Sequence, residues 1–296
     1  MRLQRPFRAL VGVLLSLLVV APALAEKLPV VASFSILADF AREIGGERVE
    51  VKSLVGPNGD AHVYQPSPSD AKDLGRAKLI LVNGLALEGW MERLIAASAA
   101  HAPVVVASQG VTVLHDDAHG IDPHAWQNIA NAKIYVANIL AGLAAAAPQD
   151  ADFFRARAEA YSARLDATDK LVREGVAAIP EQNRRIVTTH DAFGYFGAAY
   201  GFQFIAPQGF STEAEPSARD VARLIQQIRR EKAPAVFLEN ISDPRLMKRI
   251  GQESGAKIGG ALFSDSLSPP DGPAPTYILM MEHNISELKK ALAPAQ

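Results

Sequence analysis

Four side chains that could bind a metal or transfer protons stand in separate segments of this sequence: His62, His124, His190 and Asp265. They are 62, 66 and 75 positions apart. No local motif, such as a finger or a paired His site on one helix, can therefore join them. A lone histidine can be a metal ligand, a general base or a buried residue with one hydrogen-bond partner, and an aspartate can cap a helix. Spacing alone leaves these alternatives open.

The four side chains share a position relative to the predicted strands. His62 lies in the loop GPNGDAHVYQPSPSD after the strand VEVKSLV, and His124 lies in GIDPHAWQN just before a helix. His190 ends the predicted strand RRIVTTH, and Asp265 in GGALFSDSLS ends the last one. Ligand sites of open α/β sheets form just beyond the carboxyl ends of strands. Only a fold with two facing lobes would bring all four together, two from each lobe.

The elements that must position them alternate along the chain. Short runs rich in branched apolar residues, such as AKLILVNG, PVVVAS and PAVFLEN, are separated by amphipathic helical segments. This alternation predicts an α/β fold with parallel sheets flanked by helices.

One segment breaks the alternation. DADFFRARAEAYSARLDATDKLVREGVAAIP has no Gly or Pro before Gly175, and its apolar residues recur every three or four positions. The pattern predicts one helix about 40 Å long. We interpret it as a rigid helix joining two lobes, with an ordinary surface helix as the alternative. The predicted division is a lobe over 26–147, a linking helix over 148–180 and a lobe over 181–296.

The amino terminus has the pattern of a secretory signal. Residues 1–25 contain a basic segment, a short apolar run and small residues at Ala23 and Ala25. They predict a cleavable Sec-type signal peptide. The chain has no cysteine, which excludes disulfides, thiolate ligands and a lipid-modified cysteine. Its formal net charge of −2 gives no indication of nucleic-acid binding. We predict a soluble, monomeric protein of the Gram-negative periplasm.

Several longer motifs resemble a known family. GDAHVYQPSPSD, DPHAWQN, HDAFGYFGAAYG and STEAEPSARD are similar to motifs of the metal-binding solute receptors of ABC importers for zinc and manganese (cluster A-I). The resemblance extends over essentially the whole chain after residue 25. It implies a two-lobed α/β receptor with one long interlobe helix and one metal ion in the cleft. The ligands that it implies are His62, His124, His190 and Asp265.

Chemistry and resemblance together predict zinc, with manganese as the alternative. Three imidazoles and one carboxylate suit Zn²⁺, and four protein ligands leave no position for a catalytic water. Manganese-type relatives usually carry a glutamate at the third position, where this chain has His190; nitrogen ligands favour zinc. The segment LHDDAHGID, with His115 and His119, resembles a shortened metal-collecting loop or is a plain polar loop. Side chains that could support the ligand imidazoles, or be merely structural, are Glu213, Glu215 and Glu239.

The resulting functional prediction is a receptor, not an enzyme. It would capture zinc and deliver it to a cognate ABC permease in the inner membrane, with a periplasmic metallochaperone as a further candidate partner. Competition from protons predicts that metal affinity falls below about pH 6.5. A secreted zinc hydrolase is a rival, but the sequence has no H-E-x-x-H motif to supply a base. A metal-dependent adhesin is a second rival that the sequence leaves open.

Overall fold

Two parallel sheets form the frame of the protein. The computed structural model describes residues 26–117 and 119–294, so the predicted signal peptide lies outside the described residues. The first sheet has the strand order β2-β1-β3-β4, and the second has the order β10-β9-β7-β8. The paired strands of both sheets run parallel, as predicted.

The first sheet is built from the first third of the chain. Its central strand is a run of apolar and small residues that is buried at its carboxyl end, as expected for a strand covered on both faces. Its strands are β1 (Leu28–Phe34), β2 (Val49–Val55), β3 (Leu79–Val82) and β4 (Val104–Val106). The helices connecting and following them are α1 (Ser35–Gly45), α2 (Pro68–Arg76), α3 (Met91–Ser98) and α4 (Ile129–Ala146). A short antiparallel hairpin, β5 (His115–Asp116) and β6 (Gly120–Ile121), precedes α4.

The second sheet repeats the pattern with shorter strands. Its strands are β7 (Arg185–Val187), β8 (Gln203–Ile205), β9 (Ala235–Glu239) and β10 (Lys257–Leu262). Its helices are α6 (Gly194–Tyr200), α7 (Ala218–Glu231), α8 (Pro244–Ser254) and α9 (Tyr277–Leu292). Strands β7 and β10 end three residues before His190 and Asp265. The predicted strand RRIVTTH therefore extends too far, although His190 pairs with Gln208 in an isolated parallel bridge. Asp265 lies in the loop that follows β10.

Helix α5 (Ala151–Ala177) lies between the two sheets in sequence and is 27 residues long. Its buried residues follow the predicted spacing, with Phe154, Tyr161, Leu165 and Val172 on one face. That face packs against α1, α4 and α9. The helix lies within the predicted linking segment 148–180. The lobe boundaries themselves remain a prediction.

The hydrophobic core is continuous between the two sheets. One cluster contains residues of β1, α1, α4, α5, β9 and α9, and a smaller one lies between β9, α7 and α8. The last helix, α9, packs against α1. The ring centroids of Phe40 and Tyr277 lie 4.8 Å apart, and the Tyr277 backbone N–H donates to Asp39 at 2.8 Å. Helix α4 is long and apolar enough to span a membrane, but one of its faces is part of this core.

Candidate metal centre

The structure brings the four sequence-predicted side chains together. One potential ligand atom from each of His62, His124, His190 and Asp265 lies within 4.8 Å of those of the others. The last three residues are fully buried, and His62 is 7% exposed. All three histidines direct Nε2 at the same carboxylate. The placement therefore agrees with a shared site between the two sheets.

The spacing of these atoms fits one small cation. The Nε2 atom of His62 lies 3.2 Å from Oδ2 of Asp265 and 3.3 Å from Nε2 of His124. The Nε2 atoms of His190 and His124 lie 3.1 and 3.6 Å from oxygens of Asp265. A tetrahedron with zinc–ligand bonds of about 2.0–2.1 Å has edges of about 3.3–3.4 Å. These four separations bracket that value, and every other pair of potential ligand atoms lies within 4.8 Å.

His124 is oriented by Asp122, a residue that the sequence reading missed. Oδ1 of Asp122 lies 2.7 Å from the ring Nδ1 and accepts the backbone N–H of His124 at 2.9 Å. A proton on Nδ1 leaves the lone pair of Nε2 free for a metal, and such carboxylate–histidine pairs commonly support metal ligands. Gly194 of α6 leaves room for the Asp122 carboxylate, since a Cβ at position 194 would lie 2.6 Å from Oδ2 of Asp122.

His190 has an equivalent partner in Glu239, at the end of β9. Oε2 of Glu239 lies 2.6 Å from Nδ1 of His190. Oε1 accepts the backbone N–H groups of Thr189 and His190 at 2.7 and 3.0 Å. The carboxylate therefore fixes the ring and the backbone beneath it. Of the three glutamates considered from the sequence, this one alone contacts a ligand imidazole, while Glu213 and Glu215 are exposed at the rims of cavities.

His62 is held less tightly. It lies in the loop between β2 and α2, residues 56–67, called here the His62 loop. Its backbone N–H donates to Oδ1 of Asp60 at 2.9 Å, and the indole N–H of Trp90 donates to the carbonyl of Ala61 at 2.8 Å. Within the described part of the chain, no carboxylate contacts Nδ1 of His62. It is the one predicted ligand imidazole without such a partner.

Asp265 comes from the second half of the chain but is fixed by the first. The carbonyl of Ser264 accepts N–H groups from the side chains of Trp126 and Gln127 at 2.9 and 2.6 Å. The backbone N–H of Leu267 donates to the Ser35 hydroxyl at 2.9 Å. Oδ1 of Asp265 is buried and has no hydrogen-bond partner among the described residues. A cation would satisfy this acceptor.

The charges of the site are strongly coupled. Burial lowers the pKa of His124, but Asp265 and Asp122 outweigh it and raise that pKa to about 9. Burial likewise opposes a charge on His190, yet Glu239 and Asp265 hold its pKa well above the ordinary value. Burial alone would raise the pKa of Asp265, which His190 and His124 instead keep well below its usual range. The carboxylates around these imidazoles therefore favour positive charge at the site.

The two loop histidines considered from the sequence are outside the cluster of four, although His119 lines the same cavity as His62. His115 and His119 are on the exposed β5–β6 hairpin, and the ring of His119 packs against Phe210 with centroids 5.5 Å apart. Trp126 is fully buried, and its ring contacts Phe34 and His124. Its burial and ring contacts indicate a packing role.

Comparison with known proteins gives consistent similarities. The family model "ZnuA: Zinc-uptake complex component A periplasmic" matches residues 30–291. The chain is 37% identical over 284 residues to the manganese-binding lipoprotein MntA of Bacillus subtilis, covering 90% of each chain. It is 36% identical over 270 residues to the iron-binding protein YfeA of Yersinia pestis, covering 90% of this chain and 86% of the relative.

Solved structures resemble the whole described fold. The periplasmic zinc binding protein TroA from Treponema pallidum superposes with a TM-score of 0.87 at 34% identity, covering 91% of this chain and all of that one. A Mn-bound periplasmic metal binding protein from Candidatus Liberibacter asiaticus gives a TM-score of 0.81 at 29% identity, covering 89% and 98%. The predicted family resemblance and α/β fold are confirmed.

Proposed function

This chain belongs to the ZnuA family of periplasmic metal-binding receptors of ABC transporters, which are not enzymes, and on that premise we propose that its cargo is zinc. The ligands that we propose are His62, His124, His190 and Asp265. As a receptor of this class, the chain delivers its metal to a permease. We propose further that residues 1–25 are a cleaved signal peptide and that the receptor works as a monomer with lobes over 26–147 and 181–296 joined by 148–180.

The observation that supports zinc is the composition and closure of the ligand set. Three imidazole nitrogens converge on the Asp265 carboxylate with N···O separations of 3.1–3.6 Å, and Nε2 of His62 lies 3.3 Å from Nε2 of His124. A buried set of this kind matches four-coordinate zinc with no position for water. Manganese favours oxygen ligands and a larger coordination number. The nitrogen at the third position, His190, is the main reason for preferring zinc.

Manganese is the second candidate, and the relatives support it. The similar protein of Bacillus subtilis is named manganese-binding, and a solved relative is a Mn-bound protein. A manganese receptor would have the same fold, the same site and the same permease chemistry. The metal preference of this chain therefore has to be measured.

The test is metal analysis of the purified protein, with competitive titration of Zn²⁺ against Mn²⁺. We expect one zinc per chain, which Mn²⁺ does not displace. The variant His190→Glu should shift the preference toward Mn²⁺. Because Glu239 is in contact with His190, that substitution should also be paired with Glu239→Gln, which avoids two adjacent carboxylates. Exposed His101 supplies the control His101→Glu, which should bind like the wild type. Displacement of stoichiometric Zn²⁺ by Mn²⁺ in the wild type would refute the zinc assignment.

A further inference from the structure

An ion in this centre is enclosed, so a segment that carries a ligand must move before it can leave. His124, His190 and Asp265 are fully buried, and His62 has the only measurable exposure of the four, at 7%. Two cavities border its loop. One of about 590 Å³ is lined by Asp60, and another of about 360 Å³ is lined by His62 itself. The solvent-facing side of the centre is therefore the His62 loop.

The other three ligands are held by more contacts than His62. Asp122 and Glu239 each bind both the ring and the backbone N–H of their histidine. The segment that carries Asp265 accepts and donates hydrogen bonds on both sides of it. The His62 ring can therefore move without breaking a hydrogen bond between Nδ1 and a carboxylate, unlike the rings of His124 and His190.

One carboxylate connects the His62 backbone to the second half of the chain. Oδ1 of Asp60 accepts the backbone N–H of His62 at 2.9 Å, and Oδ2 accepts the hydroxyl of Thr212 at 2.6 Å. Thr212 lies 152 positions away, in the segment after β8. Asn58 adds a backbone hydrogen bond to the carbonyl of Leu267 at 2.9 Å, which fixes the start of the same loop.

We propose that Asp60 is a positioning residue, and that its hydrogen bond to Thr212 keeps the His62 loop closed over the ion and sets the rate of metal release. The inference rests on the proposed function, because it takes the four side chains as the metal ligands. It assigns roles to two side chains that are not ligands. The hydrogen bond from Thr212 joins the two halves of the chain at the one ligand-bearing loop that faces solvent.

A pair of variants at Thr212 isolates this hydrogen bond. Thr212→Val keeps the shape of the side chain and the Asp60–His62 contact but removes the hydroxyl, whereas Thr212→Ser keeps the hydroxyl. Thr212 is partly exposed, so both variants should fold, and circular dichroism checks this. Zinc release is followed by stopped-flow mixing of the Zn²⁺-loaded protein with excess chelator. Loading is followed by mixing the metal-free protein with Zn²⁺ alone.

We expect Thr212→Val to release zinc about tenfold faster or more, as for the loss of one hydrogen bond to a charged acceptor, without slower loading or altered stoichiometry. Thr212→Ser should release zinc like the wild type, and Asp60→Ala should release it at least as fast as Thr212→Val. Release from Thr212→Val at the wild-type rate, or the same acceleration in both Thr212 variants, overturns the inference alone. A wild-type chain that binds no zinc overturns the proposed function, and this inference with it.

Discussion

The contact between Glu239 and His190 allows a test of how a carboxylate tunes a proposed metal ligand. The buried carboxylate of Glu239 faces three N–H groups: Nδ1 of His190 at 2.6 Å and the backbone N–H groups of Thr189 and His190 at 2.7 and 3.0 Å. Glu239→Gln preserves size but has only one oxygen. Its amide NH₂ must then face at least one of these donors, because they approach both carboxylate oxygens.

Two effects determine the expected magnitude. Loss of a carboxylate behind a metal-bound imidazole typically weakens metal binding about 10–100-fold, which is about 1.4–2.8 kcal/mol. A buried donor left facing another donor costs about 1–3 kcal/mol of stability. One effect opposes these: Glu239 helps to raise the pKa of His190, so its removal also weakens competition from protons. The loss of affinity should therefore be smaller at pH 6 than at pH 9.

The assay is competitive zinc titration with a chelator at both pH values, together with thermal unfolding of the metal-free protein. Glu213→Gln is the matched control, because Glu213 is exposed and does not contact a ligand imidazole. We expect the control to bind zinc like the wild type. Wild-type affinity in Glu239→Gln at pH 9 would refute the supporting role of this carboxylate.

Three further predictions follow from the charges and loops of the molecule. Zinc affinity should fall as pH drops from about 9, because Asp265 and Asp122 outweigh burial and raise the pKa of His124 to about 9. This onset lies above the pH of about 6.5 expected from the sequence. A constant affinity in titrations between pH 6 and 9.5 would contradict the prediction. Burial raises the pKa of Asp39 to about 7, so the contribution of Asp39 to stability should decrease as pH rises from about 4 to 7. Asp39→Asn should therefore raise the free energy of unfolding by about 2–4 kcal/mol at pH 8 and by little at pH 4, as measured by urea denaturation. Deletion of 115–119 should slow zinc loading at low free zinc without changing stoichiometry, and unchanged loading rates would remove the metal-collecting role of that loop.

Sheet topology explains why four side chains near strand ends lie together, but the family resemblance was needed to predict them as one ligand set. Asp122 could have been found as well, since it lies two positions before His124 in DPH and an aspartate readily accepts a backbone N–H two residues later. Glu239 was only one of three candidates. Its contact with His190 depends on β9 pairing with β7. The order of strands in a sheet cannot be read from their order along the chain, so the sequence did not predict this pairing.

The hydrogen bonds that fix the segment around Asp265 were even harder to predict from the sequence. Its position after the last strand predicted a ligand from the second half of the chain. The residues that fix its neighbours, Trp126, Gln127 and Ser35, belong to the first half. These hydrogen bonds join side chains to backbone groups more than 130 positions away, and no periodicity or composition signals such a pairing. The end of the strand RRIVTTH was overestimated because the β-branched residues Thr188 and Thr189, which favour strands, continue past the end of β7 at Val187.

The return of α9 to the first helix has a consequence for how the molecule is made. The ribosome completes residues 26–147 well before it reaches 277–292. The contact between Phe40 and Tyr277 therefore cannot form until synthesis is almost finished. Contacts between such distant parts of a chain form slowly, and an incomplete apolar surface exposed in the meantime promotes aggregation. The first half therefore exposes part of its apolar surface until the last helix is translated and completes the core.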